Sequence, residues 1–200
     1  SIMSAPAAIV MSKILIPETG KVNNSMKISN ESLGVNVLES ISKGTVQGIK
    51  LAVNVGAMLL VFISLISMIN YILGLFSNDL NLQNILGYIM APFAWIVGIC
   101  KTDITLVGQL IGEKTIINEF IAYDSLGKMI KEGQLSERSI IIATYLLCGF
   151  ANFSSIGIQI GGIGSLAPSR ISDLAKLGIY SLIAGTLACF CTATIVGMIL

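Results

Sequence analysis

Long charge-free stretches divide this chain. No Asp, Glu, Lys or Arg interrupts residues 51–78, 80–100, 139–169 or 177–200. A bilayer core about 30 Å thick needs roughly 20 helical residues to cross, and each stretch is long enough. Residues 51–76 and 177–200 are rich in Leu, Ile, Val and Ala throughout and predict transmembrane helices. Residues 80–100 open with Asn81, Gln83 and Asn84 and carry Pro92 and Trp95, which predicts a shorter transmembrane helix with an interfacial aromatic. Residues 1–17 predict the end of another transmembrane helix, stopping near Pro17-Glu18. Residues 18–50 form a polar connector, within which an amphipathic helix is predicted from about Leu33 to Ile49.

Two regions break the simple pattern. In residues 103–131, Glu113, Lys114, Glu119, Asp124 and Lys128 interrupt the apolar positions too often for one crossing. Two short helices, 104–112 and 115–131, broken near Gly112, predict a re-entrant hairpin that enters the membrane and returns on the same side. Such backbone is tolerated only where protein or a water-filled cavity surrounds it. The span 139–169 carries Asn152, Ser154 and Ser155 between Gly149 and Gly157, which predicts a discontinuous transmembrane helix that unwinds in this stretch. Discontinuous helices of this kind build the midplane sites of secondary transporters. Gly157, Gly161, Gly162 and Gly164 read as a helix-packing surface. A short repeat also appears: Ser4-Ala5-Pro6-Ala7 and Leu166-Ala167-Pro168-Ser169 each precede a long apolar span.

Composition supports the membrane reading and removes other classes. The 200 residues are 54% hydrophobic and 12% charged, with a mean hydropathy of +0.86, where a soluble domain carries about 25% charged residues. The net charge of +1 gives no field to gather nucleic acid, and no basic-aromatic stripe appears. Histidine is absent, which removes the commonest general base and metal ligand. No activated nucleophile is evident, so an enzyme is not expected. Cys100, Cys148, Cys189 and Cys191 lie in or beside apolar runs without a CxxC pair; they read as small buried hydrophobes rather than disulfide or metal ligands. No cofactor or metal site is expected. The chain begins at Ser1 inside an apolar stretch and reads as a piece of a longer polypeptide.

A few polar residues remain as candidates for chemistry. Burying the Glu119 carboxylate in lipid would cost on the order of 3 kcal/mol. Its frame, Asn118-Glu119-Phe120-Ile121-Ala122-Tyr123, leaves two readings open: a solvated loop carboxylate, or an acceptor for ligand hydroxyls with aromatics excluding water. Among Asn152, Ser154 and Ser155, a contact between helices suits Ser154, while Asn152 and Ser155 beside Gly157 suit a ligand site. Arg170, Asp173 and Lys176 read as a solvated loop cluster with an i,i+3 pair, and loop charge does not settle the membrane orientation.

Several strings together resemble the concentrative nucleoside transporter family: Ser1-Ile2-Met3-Ser4-Ala5-Pro6-Ala7, residues 118–123, residues 148–157, Gly161 to Arg170, and Ala184-Gly185-Thr186. The resemblance runs in order along nearly the whole chain. It implies an all-α membrane protein: a polytopic helical bundle with a re-entrant helical hairpin and an unwound transmembrane helix, part of an inverted-repeat transporter fold. It implies a homotrimer in the plasma membrane (the inner membrane in a bacterium) that takes up nucleosides by alternating access, coupled to Na+ or H+. Glu119 would bind ribose hydroxyls, Asn152 and Ser155 would lie on the ribose side, and Phe150 would join them. The family's base-recognising first hairpin and its coupling-ion site would lie upstream of Ser1. Carriage of another small polar solute, and a non-transporting membrane subunit, are the competing readings.

Overall fold

A computed structural model describes residues 3–19, 36–77 and 80–200. Among the described residues all regular structure is helical: α1 (Ser4–Leu15), α2 (Val37–Gly74), α3 (Leu82–Val97), α4 (Ile104–Ile116), α5 (Glu119–Lys131), α6 (Glu137–Leu147), α7 (Phe153–Leu166), a 3-10 turn at Pro168–Arg170, and α8 (Ile171–Ile199). One of these, α8, is long and apolar enough along its described length to cross a membrane, with a mean hydropathy of 2.1 over its best window.

Asparagine sets four of the helix starts. Asn36, Asn81, Asn118 and Asn152 all adopt extended backbone at the N-cap. Each side-chain oxygen accepts from the amide three residues on, Glu39, Asn84, Ile121 and Ser155 respectively. An N-terminal turn has four amides without helical partners, and Asn is among the residues that best supply one. The left-handed residue that ends α3 is Gly98 at φ 97°, a backbone conformation open to glycine without strain.

These caps move several predicted boundaries. The hairpin does not break near Gly112. It breaks at Ile117-Asn118, because Asn118 starts a new helix. Gly112 lies inside α4, where an added Cβ would come within 2.5 Å of the Leu86 side chain of α3. Residues 37–49 are not a separate connector helix but run unbroken into the apolar span as α2, while residues 33–35 of that predicted helix lie outside the described residues. Asp173 and Lys176 are not in a loop, since α8 starts at Ile171 and takes both into its first turns. The Arg170–Asp173 pair stands at 2.7 Å across that start. At 16 residues, α3 is about 24 Å long, shorter than the hydrocarbon thickness, and it lies along α4.

The centre of the fold is the α4–α5 hairpin, held between α3 on one side and α6 on the other. Close approach of α3 and α4 depends on glycine: a Cβ on Gly108 would sit 2.5 Å from the Gly87 carbonyl oxygen. Val107, Leu110 and Ile111 of α4, Ala122 and Leu126 of α5, and Ile142, Leu146 and Leu147 of α6 form one buried cluster. The helix α8 backs this cluster through Ala193 and carries α1, α6 and α7 along its length. By contrast, α2 leaves much of its apolar surface uncovered, with Leu60 68% and Tyr71 72% exposed.

At the base of the hairpin, outside its helices, Asp103 accepts from the Ser136 amide at 3.0 Å, the Ser136 hydroxyl at 2.6 Å and the Thr102 hydroxyl at 2.8 Å. Burial works against this carboxylate, but the bonds from Ser136, Ser139 and Thr102 outweigh it and hold its pKa at about 2, against an ordinary 3.8.

Candidate functional site

Two helix starts face each other at the point where the hairpin meets the broken span. The hairpin turn ends at Asn118, so Glu119 is the first residue of α5. The chain leaves helix after Leu147 and re-enters it at Phe153, so residues 148–152 form the break. Asn152 closes that break as the N-cap of α7 and is fully buried. Each helix start presents unpaired amides and the positive end of a peptide dipole, which favours a carboxylate nearby. Glu119, half-buried between them, supplies it.

The side chain of Asn152 joins the two starts. Its Nδ2 donates to Glu119 Oε2 at 2.9 Å. Its Oδ1 accepts from the Ser155 amide at 2.7 Å and from the Ser154 hydroxyl at 2.7 Å. The Ser155 hydroxyl in turn accepts from the Asn152 amide at 3.3 Å and donates to the Asn152 carbonyl at 2.7 Å, completing a capping box. A buried polar network is favourable only when its members are satisfied, and this one is nearly closed on itself. Among the described residues, Glu119 Oε1 has no hydrogen-bond partner, which leaves an acceptor at the open edge.

Phe150 sits elsewhere around the bend. It is 48% exposed and lines a cleft of about 210 Å3 together with Ser155, Gln159, Ser181 and Gly185. Glu119 and Asn152 do not line that cleft. Ser155 is the residue common to both, tied to Asn152 on one side and open to the cleft on the other. The four sequence candidates therefore fall in two linked groups, Glu119–Asn152–Ser155 and Ser155–Phe150. Ser154 is not merely a contact between helices. Its hydroxyl belongs to the network and also reaches the Ile117 carbonyl of the hairpin turn at 3.4 Å.

Other candidates change position or role. Cys148 is exposed rather than a buried hydrophobe, because the break lifts it out of helix packing; Cys189 is buried. Gly149 is needed for space, since a side chain there would collide with the Cys189 sulfur. At Gly161 a Cβ would meet nothing within 4 Å among the described residues, whereas at Gly164 it would strike Ile171, so the expected packing surface is confined to part of the glycine run. Among the described residues no group of three or more acidic or thiol side chains is placed to hold a metal.

Three further residues, Asn118, Tyr123 and Lys114, hold this site in place. Asn118 was legible, since an Asn directly ahead of a helical pattern signals a cap. Tyr123 donates to the Thr144 carbonyl at 2.7 Å, and Lys114 donates to the Leu146 carbonyl at 3.0 Å. Both contacts join the hairpin to the end of α6 and have no local sequence signal.

The chain matches the family model described as Na+ dependent nucleoside transporter C-terminus over residues 1–197. It belongs to the concentrative nucleoside transporter family. Among similar proteins of this family, the uncharacterized transporter YutK of Bacillus subtilis is 44% identical over 99% of the chain and 50% of its own length. Solute carrier family 28 member 3 of Homo sapiens is 42% identical over the whole chain and 32% of its own length. CNTnw in an inward-facing substrate-bound state is 40% identical with a TM-score of 0.84, over 97% of this chain and 48% of that one. The chain thus spans about half the length, or less, of the curated relatives it matches. Those relatives are transporters, not enzymes, and the all-α fold is that of a membrane transporter.

Proposed function

We propose that this chain is the C-terminal part of a nucleoside carrier of the plasma membrane, or of the inner membrane in a bacterium. It works by alternating access and is coupled to Na+ or H+. Nucleoside would be held between this half and a first half that contributes the base-recognising and ion-binding groups. Glu119 would accept the ribose hydroxyls, with Asn152 and Ser155 on the ribose side and Phe150 against the ligand. The α4–α5 hairpin would be re-entrant, α6 and α7 would form one discontinuous crossing, and α1, α2 and α8 would cross or reach into the membrane. Assembly as a homotrimer is part of the same proposal.

The observation that carries this reading is the 2.9 Å bond from Asn152 Nδ2 to Glu119 Oε2. It gives a carboxylate otherwise unfavourable in lipid one fixed donor and orients it. The other oxygen is left as an acceptor suited to a hydroxyl, and charge-assisted bonds of this kind are the strong ones. No covalent step is required of any residue.

The test is uptake of labelled uridine and adenosine by the full-length protein, with and without sodium and at two pH values. Glu119→Ala should abolish uptake of both while the protein still reaches the membrane. Uptake by that variant at the wild-type rate would remove Glu119 from the site. Uptake of neither nucleoside by the wild type would favour a different polar solute.

A further inference from the structure

Among the described residues, Lys114 is the largest fully buried side chain, 1% exposed. Its ammonium donates to the Leu146 carbonyl at 3.0 Å, and among the described residues no carboxylate lies within ion-pair distance of it. A buried ammonium without a counter-ion is strongly unfavourable unless something compensates. The compensation here is the broken end of α6. Four carbonyls at a helix C-terminus lack helical partners and together carry partial negative charge. The end of α6 satisfies Tyr145 and Leu147 by tight turns to the amides of Cys148 and Gly149. Tyr123 takes Thr144, and Lys114 takes Leu146. Gly149, the second residue of the break, is close enough that a Cβ there would come within 3.8 Å of the ammonium.

Freed carbonyls at the C-terminal end of a half-helix are, in general, what transporters use to coordinate a driving cation. We propose that the end of α6 is such a monovalent-cation position, and that Lys114 occupies it permanently with a tethered charge. The ammonium reaches from α4 to the last turn of α6, so it fixes the start of the 148–152 break relative to the hairpin. That break ends at Asn152, whose bond to Glu119 depends on the same relative position. Lys114 is therefore a positioning residue for the Asn152–Glu119 pair. Its effect on nucleoside affinity rests on the function proposed above, whereas the cation position does not.

The experiment uses the full-length transporter at fixed sodium, with Lys114→Ala, Lys114→Gln and Lys114→Arg compared with wild type, each with choline or methylammonium as the added cation. Thermal unfolding without nucleoside reads the cation position. Methylammonium should raise the melting temperature of Lys114→Ala and leave wild type and Lys114→Arg unchanged. Nucleoside binding reads the positioning role. The affinity of Lys114→Ala and Lys114→Gln should fall about tenfold or more, methylammonium should restore the Ala variant, and Lys114→Arg should stay near wild type. An Ala variant that methylammonium neither stabilises nor refolds, or a Gln variant with wild-type affinity, overturns the inference. A wild type that binds no nucleoside defeats the proposed function instead, and the unfolding comparison still decides the cation position.

Discussion

Replacing Asn152 by serine separates two jobs that one side chain performs. Serine also caps helices well, so the bond to the Ser155 amide survives in kind. What is lost is Nδ2 and its 2.9 Å bond to Glu119. A hydrogen bond to a charged group contributes about 1.5–3 kcal/mol. If that bond orients the Glu119 carboxylate for a ligand, its loss should weaken nucleoside binding by roughly 10- to 150-fold. Asn152→Ala removes the cap as well and should cost about 1 kcal/mol more in folding stability. Equilibrium binding of labelled uridine to purified full-length protein gives the first quantity, and chemical denaturation of the same samples gives the second. A serine variant that binds within about threefold of wild type would refute the orienting role. Equal stability of the serine and alanine variants would refute the capping role.

Other outcomes follow from packing and charge. Gly108→Ala places a Cβ 2.5 Å from the Gly87 carbonyl oxygen and should destabilise by about 1–3 kcal/mol through forced separation of α3 and α4. Gly44→Ala, where a Cβ meets nothing within 4 Å among the described residues, should be neutral or stabilise α2 by up to about 1 kcal/mol; denaturation midpoints compare the two. Asp103, held at about 2 against an ordinary 3.8, contributes about 2 kcal/mol of stability. The folded pKa is the lower one, so this contribution is fully present above about pH 4 and is lost as the pH falls through about 2. Asp103→Asn should therefore be less stable than wild type at neutral pH, and the difference should shrink below pH 4, as unfolding free energies across that range would record.

How much of this was legible depended on the kind of signal. The absence of charge in residues 139–169 and the cluster of Asn152 with two serines exposed the broken span, because polar groups at membrane depth require partners. For Glu119 the pattern alone leaves a solvated carboxylate and a ligand acceptor both open, and only the family resemblance points to the second. The hairpin turns at Asn118 and not at Gly112, because a side chain that caps the next helix breaks the chain more effectively than a glycine within it. Gly112 serves an approach between α4 and α3, and such an approach leaves no trace in local periodicity. In the sequence, Lys114 is no more than an interruption of an apolar run. Its partner lies 32 residues away on α6, a separation at which no spacing rule operates. The continuity of α2 is hidden by its polar first turns, since a helix can stay helical without staying apolar.

The two hairpin groups that take up the end of α6 have a bearing on biosynthesis. Lys114 and Tyr123 are made before Leu146 and Thr144, whose carbonyls accept their hydrogen bonds. When the ribosome delivers the interrupted segment, its acceptors meet donors already in place. If this segment crosses the membrane as proposed, its exposed peptide groups need not wait in lipid for a later part of the polypeptide. Reversing that order, as in a circular permutant opened between Gly133 and Ser136, would strand those oxygens during insertion.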